Sequence, residues 1–144
     1  MKKTRRQKDK IVLGWSEHIS FPDWNIQNLA AKVDTGARTS ALHVENLKIL
    51  KSGRAKFEVV LDEHHPEDVM LVKAPVLKWA KVRSSNGHYQ KRCFVRVRAR
   101  IGPVEKLIDI SLVSREKMVY RMLLGRRALQ NDFLVDVSRR HLLD

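Results

Sequence analysis

Apolar and polar residues alternate along much of the chain, which is the pattern of β-strands with one buried face. The alternation is strictest from Cys93 to Ile101, where every second residue is apolar. Arg96, Arg98 and Arg100 occupy intervening positions and therefore lie on the opposite face of this predicted strand. The pattern predicts a half-buried strand with a basic outer surface.

Similar short extended segments recur along the rest of the chain, separated by turn residues. They are predicted at Ile11 to Trp15, Ile26 to Val33, Ala41 to Val44, Asn46 to Leu50, Phe57 to Leu61, Val104 to Val113, Met122 to Leu124 and Phe133 to Val137. A polar run from Asp62 to Asp68 ends one strand, a short helix follows Gly125, and residues 138–144 form a basic tail. Seven or more short strands with one helix predict an all-β barrel.

Length and charge indicate one basic domain. A chain of 144 residues with 43% apolar residues is long enough for a single core, predicted over residues 11–144. Six of the first ten residues are Lys or Arg, a composition that predicts a disordered arm. The formal net charge of +13 attracts polyanions to the surface, and the arm either binds them or only adds solubility.

The cellular compartment is predicted from two features. No apolar run approaches the roughly 18 residues of a membrane span. Cys93 is the only cysteine, so the chain has no internal disulfide, and its place on the apolar face predicts a buried, inert thiol. These features favour a cytoplasmic protein without a membrane partner.

The segment from Ala31 to Ser40 contains the strongest candidate for chemistry. An apolar run leads into Asp34-Thr35-Gly36, where the aspartate can accept hydrogen bonds from the following backbone N–H groups. Gly36 has no Cβ to obstruct the tight turn. The triplet by itself is more typical of an ordinary turn between strands.

A second motif gives the triplet its interpretation. Met122-Leu123-Leu124-Gly125-Arg126 stands near the C-terminus, and together with the Asp34 turn it resembles the retropepsin class of aspartic proteases. The resemblance implies a closed acid-protease barrel with one short C-terminal helix. It further implies a catalytic loop of Asp34, Thr35 and Gly36, supported from behind by Leu124 and Gly125.

A closer resemblance covers nearly the whole chain, to a bacterial family labelled ATP-dependent zinc proteases. The matching pieces are Gly14-Trp15, Ala31 to His43, Val82 to His88 and Met122 to Leu134. The chain contains neither a Gly-x-x-x-x-Gly-Lys-Ser/Thr phosphate loop nor a His-Glu-x-x-His helix, so no cofactor is predicted.

Families of this type resemble partners of ATP-grasp ligases that add glutamates to proteins, which implies an acidic peptide substrate. The implied substrate-binding residues are Ala37, Arg38, Arg83, Asn86, Gly87 and Arg126. The resemblance also places Arg38 opposite Arg126, where two cations either splay into solvent or bind an anion. Asn86-Gly87 between two extended runs predicts a hairpin, which is either a flap over a cleft or a plain turn.

Three histidines are candidate metal ligands. His43 lies among apolar residues, which favours a core or interface histidine. His64 and His65 lie in a polar, proline-containing run that is more typical of a solvated loop. His43 has no second ligand at a recognisable spacing, and adjacent histidines such as His64 and His65 rarely face one ion, so no metal site is predicted.

The sequence is therefore compatible with two functions. An aspartic peptidase requires two carboxylates, and a single Asp-Thr-Gly implies a homodimer in which Asp34 faces its own copy. The alternative is a catalytically silent module that binds ribosomes, RNA or another polyanion through the arm and the Arg96, Arg98 and Arg100 face.

Overall fold

The computed structural model describes residues 9–62, 64–83, 86–114 and 119–144. In chain order the elements are β1 (Ile11–Leu13), β2 (Ser16–Phe21), a single 3-10 turn (Pro22–Trp24), β3 (Ile26–Val33), β4 (Ser40–Ile49), β5 (Arg54–Asp62), β6 (His65–Pro75), β7 (Lys78–Arg83), β8 (Tyr89–Ile101), β9 (Val104–Val113), β10 (Met122–Leu124), α1 (Arg126–Leu129) and β11 (Phe133–Val135).

Six of these strands close into a ring. Neighbouring strands pair in the order β10, β3, β2, β8, β9 and β4, and β4 pairs again with β10. The alternating apolar residues of β8 face the interior, where Val95, Ala99 and Ile101 have no exposed surface. A closed sheet removes the unpaired edges that an open sheet would leave. The all-β barrel predicted from the sequence is confirmed.

The strands β5, β6 and β7 extend the ring. β5 pairs with β4 and with β6, and β7 pairs with β8 to form the predicted hairpin. Gly87 in that hairpin has a φ of +84°, the left-handed conformation that glycine adopts readily. The sequence predicted that a polar run from Asp62 to Asp68 ends the strand, whereas in the structure the next strand, β6, already begins at His65. The Asp62 carboxylate accepts the N–H of His64 at 2.9 Å, which permits a tighter turn than the polar composition suggested.

The C-terminal residues pack against the first strands. β1 pairs in parallel with β11, and the N–H of Trp15 donates to the carbonyl of Arg139 at 2.8 Å. The N–H of His141 donates to the carbonyl of Ser16, also at 2.8 Å. A Cβ on Gly14 would lie 2.3 Å from the Arg139 oxygen, so only glycine permits this contact. The predicted basic tail is thus docked on the barrel.

Most of the basic arm predicted for residues 1–10 lies outside the described residues. Within the described ranges, no helix has the length and apolar character needed to cross a membrane.

Candidate active site

Asp34 follows directly after β3 in a turn that is held by its own backbone. The Asp34 N–H donates to the carbonyl of Leu124 at 2.9 Å, and the Ala37 N–H donates to the Asp34 carbonyl at 3.2 Å. The Gly36 N–H donates to Oδ1 of Asp34 at 3.0 Å. A Cβ on Gly36 would lie 3.2 Å from this Oδ1, which is a tight contact. Glycine therefore allows the backbone to approach the carboxylate closely.

The segment Leu124-Gly125 lies behind this turn. β10 pairs in parallel with β3, which places Leu124 beside Val33. The Gly125 N–H donates to the Ser40 hydroxyl at 3.1 Å in a buried position. A Cβ on Gly125 would lie 2.5 Å from the carbonyl carbon and oxygen of Thr39. Even alanine would force this backbone apart, so the glycine sets the spacing between the two segments.

The start of α1 fixes the other side of the Asp34 turn. The Arg126 N–H donates to the Ala37 carbonyl at 2.8 Å, and the Arg127 N–H donates to the Arg38 carbonyl at 3.1 Å. The Arg126 guanidinium donates to the carbonyl of Thr35 at 3.1 Å. The turn is therefore tied to the helix through the carbonyls of Thr35, Ala37 and Arg38.

A cleft of about 590 Å³ opens over this turn. Its walls come from the turn after β3, from β7 and from β8. Asp34 is the one acidic residue among the described residues that line it. Six cationic residues share the lining: Arg38, Lys78, Lys81, Arg83, Arg92 and Arg127. The cleft therefore presents one carboxylate within a strongly positive environment.

Five of the proposed site residues line this cleft, and Asp34 and Gly36 are two of them. Ala37, Arg38 and Arg83 line it, whereas Asn86 and Gly87 form the exposed turn that follows β7. Arg126 is not among the described lining residues, because its guanidinium reaches Thr35. Arg38 and Arg127 both lie in the cleft wall. The expected opposition of Arg38 and Arg126 stays a prediction.

Sequence reasoning missed several lining residues. Lys78 and Lys81 lie on β7, Arg92 on β8 and Arg127 on α1. The sequence contained a signal for the two lysines on β7, because a hairpin that forms a flap over a cleft places its strands beside that cleft. Partial burial lowers the pKa of the Arg92 guanidinium. A cation that has lost part of its hydration favours the binding of an anion, because the anion replaces the lost interactions with water.

The remaining candidates lie elsewhere. His43 is buried, with its Nε2 3.3 Å from Oε1 of Glu45. His65 is exposed and lies 3.7 to 3.9 Å from the carboxylates of Glu67 and Asp62. Cys93 is buried, and burial raises the pKa of its thiol. A raised pKa keeps the thiol protonated, which fits an inert side chain.

The curated proteins include relatives of this chain that carry one shared name. A probable alpha-L-glutamate ligase of Shewanella halifaxensis is 32% identical over 133 residues, and one of Parasynechococcus marenigrum is 34% identical over 137 residues. The alignments cover 90% and 93% of this chain and 29% of each relative. The chain thus spans less than a third of the length of these relatives.

A crystal structure with a similar fold comes from Legionella pneumophila, a protein described as having unknown function. It superposes with a TM-score of 0.78 at 25% identity, covering 94% of this chain and all of that one. A model of the RimB-like family, described as retropepsin-like aspartic endopeptidase RimB, matches residues 12–144. The barrel, the Asp34 turn and this match together place the chain in the RimB-like family of retropepsin-like aspartic endopeptidases.

Proposed function

We propose that this chain is a homodimeric aspartic peptidase that cleaves acidic, glutamate-rich peptides, with Asp34 as its catalytic carboxylate. The observation that carries the proposal is the position of Asp34 in a cleft where the other charged residues, among those that the structure describes, are all cationic. A catalytic carboxylate must be reachable by substrate, and Asp34 is partly exposed at the cleft floor. The surrounding cations suit a substrate with several negative charges.

The chemistry requires a second carboxylate. In the aspartic mechanism, the ionised carboxylate removes a proton from a water molecule while the oxygen of that water attacks the peptide carbonyl carbon. The protonated partner polarises the carbonyl oxygen and then supplies the proton that the leaving amine needs. A two-fold dimer would bring Asp34 of one protomer to Asp34 of the other. By family resemblance, Thr35 hydrogen-bonds across that axis.

The substrate class follows from the charge of the cleft. Arginine guanidinium groups bind carboxylates through two parallel hydrogen bonds, which gives both energy and orientation. Arg38, Arg83 and Arg127 line one cleft of a size suited to several side chains. The relatives named as glutamate ligases contain a region similar to this chain. A peptidase that removes glutamates would act on the type of product that such a ligase forms.

The basic face of β8 supports the alternative function, a polyanion-binding module, less than the cleft supports a peptidase. Arg96 donates to the Asp109 carboxylate at 2.7 Å, and Arg100 lies 3.6 Å from the Glu105 carboxylate. These acidic residues on β9 neutralise part of the face that a polyanion would contact. The phosphate-binding capacity of the predicted Arg96, Arg98 and Arg100 surface is correspondingly reduced.

Arg127→Gln is expected to reduce the preference for glutamate-rich over neutral peptides by about 1–3 kcal/mol, the contribution of a hydrogen bond to a charged group. The backbone bond from Arg127 to Arg38 is unaffected by the change. The measurement is the ratio of kcat/KM for a glutamate-rich peptide to that for a neutral peptide of equal length.

Arg98→Gln is the matched control, because it removes the same charge from the outer face of β8. It is expected to leave the ratio of the two kcat/KM values unchanged. Equal effects of the two substitutions would contradict a specific carboxylate site at Arg127 and would indicate a general effect of net charge. Absence of cleavage of both peptides by the wild-type chain would contradict the proposed function itself.

A further inference from the structure

Docking of the C-terminal tail brings together three potential metal ligands that are far apart in the sequence. His18 lies on β2, and His141 and Asp144 lie in the tail. Their ligating atoms all lie within 4.8 Å of one another. We propose that His18, His141 and Asp144 bind a divalent transition metal ion, with Zn²⁺ as the best match, and that the ion fastens the tail to the barrel.

One of the three ligand pairs has a separation close to that of an occupied site. Nδ1 of His18 lies 3.2 and 3.3 Å from the two carboxylate oxygens of Asp144, and Nδ1 of His141 lies 4.0 Å from Oδ2. Ligands that bind zinc at about 2.0–2.2 Å in a tetrahedron are separated by roughly 3.3–3.5 Å. The His18–Asp144 pair already has nearly this separation. The His141 ring has to move inward by roughly 1 Å.

The ligand types select the class of metal. Two imidazoles and one carboxylate suit zinc and its neighbours, whereas magnesium and calcium prefer all-oxygen sites. The two imidazole rings lie 4.6 Å apart between centroids, inclined by 40°, and each has its Nδ1 within 4.0 Å of the Asp144 carboxylate. Three protein ligands leave a position for water or another small ligand.

The backbone around the cluster is held in place independently of any ion. Glu17 is fully buried, and its carboxylate accepts the N–H groups of Leu142 and Leu143 at 2.9 and 3.1 Å. The His141 N–H is bound to Ser16, which precedes Glu17 on the same strand as His18. Both sides of the cluster are therefore positioned before metal arrives, which lowers the entropic cost of binding.

A cavity of about 240 Å³ beside the cluster provides access. His18 and His141 line it together with Asp62, Tyr120 and Arg121. Because the spacing of His18 and His141 along the chain exceeds any local motif, sequence analysis predicted no metal site at these residues. This inference stands apart from the proposed peptidase activity.

The test uses untagged wild-type chain that has been freed of metal with a chelator and then titrated with ZnCl₂ in a calorimeter. One Zn²⁺ per chain is expected. His141→Asn and Asp144→Asn are each expected to weaken binding by more than about tenfold, the minimum for a change near a zinc site. Asparagine is chosen at position 141 because His141 has a φ of +56°, which asparagine tolerates.

His65→Ala is the matched control, since His65 lies near the carboxylates of Asp62 and Glu67 and represents the competing histidine-rich turn. It is expected to leave the affinity unchanged. The second readout is Tm, which Zn²⁺ should raise for the wild type and not for His141→Asn, because the ion binds the folded state. Absence of Zn²⁺ binding, or binding that survives both tail substitutions, would overturn the proposal and would leave a simple His18–Asp144 ion pair.

Discussion

Asp34→Asn is expected to lower kcat/KM for a glutamate-rich peptide by about 10²–10⁴-fold, the range for loss of a positioned general acid or base. Asparagine has nearly the same shape and can still accept the Gly36 N–H, so the turn should keep its conformation. It cannot, however, take a proton from water or share one with a partner carboxylate. The measurement is steady-state cleavage by wild type and variant at matched concentrations.

A binding measurement distinguishes loss of the catalytic group from loss of the folded site in Asp34→Asn. The variant should bind a labelled glutamate-rich peptide with an affinity close to that of the wild type, as measured by fluorescence anisotropy, because the cationic cleft residues are unchanged. Asp23→Asn, an exposed carboxylate in the 3-10 turn, is the control and should retain full turnover. Undiminished cleavage by Asp34→Asn would exclude Asp34 as the catalytic group.

Glu17→Gln is expected to reduce the free energy of unfolding by about 2–4 kcal/mol, because buried hydrogen bonds to a charged acceptor are lost or weakened. Oε2 of Glu17 accepts the N–H groups of Gly14 and Leu142, at 2.7 and 2.9 Å, and Oε1 accepts that of Leu143. A glutamine amide presents N–H donors where one of these oxygens was, so at least one backbone N–H loses its acceptor. Urea unfolding of both proteins measures the difference.

The control for this prediction is Glu105→Gln, which makes the same chemical change at an exposed ion pair with Arg100. Surface pairs of this kind contribute about 0–1 kcal/mol, so the effect should be small. A loss at Glu17 no larger than that at Glu105 would contradict the view that a buried carboxylate anchors the tail.

The elements that sequence predicted best were those with a local physical signal. The strict alternation in β8 correctly predicted which of its faces is buried, and Asn86-Gly87 correctly predicted the hairpin between β7 and β8. Both features depend on residues that are close together in the chain. The placement of Leu124 and Gly125 behind Asp34 came from family resemblance. The parallel pairing of β10 with β3 has no signal in composition or periodicity.

Other features depend on contacts that no local pattern reports. In the sequence, Gly14 stood out only because it matches the family pattern. The structure gives the physical reason for a glycine there, since the C-terminal tail crosses directly over its Cα. Whether Arg126 or Arg127 faces the cleft depends on the rotation of a single helical turn, in which successive residues point about 100° apart. The docking of His141 and Asp144 against His18 likewise requires the folded barrel.

The most direct test of the shared catalytic dyad is the activity of mixed dimers. Wild type and Asp34→Asn are combined at constant total concentration, allowed to exchange subunits, and assayed on the glutamate-rich peptide. If each active site needs Asp34 from both protomers, activity follows the square of the wild-type fraction, so an equal mixture retains roughly a quarter of full activity. A linear decline, with half the activity at equal mixing, would contradict a site built from two copies of Asp34.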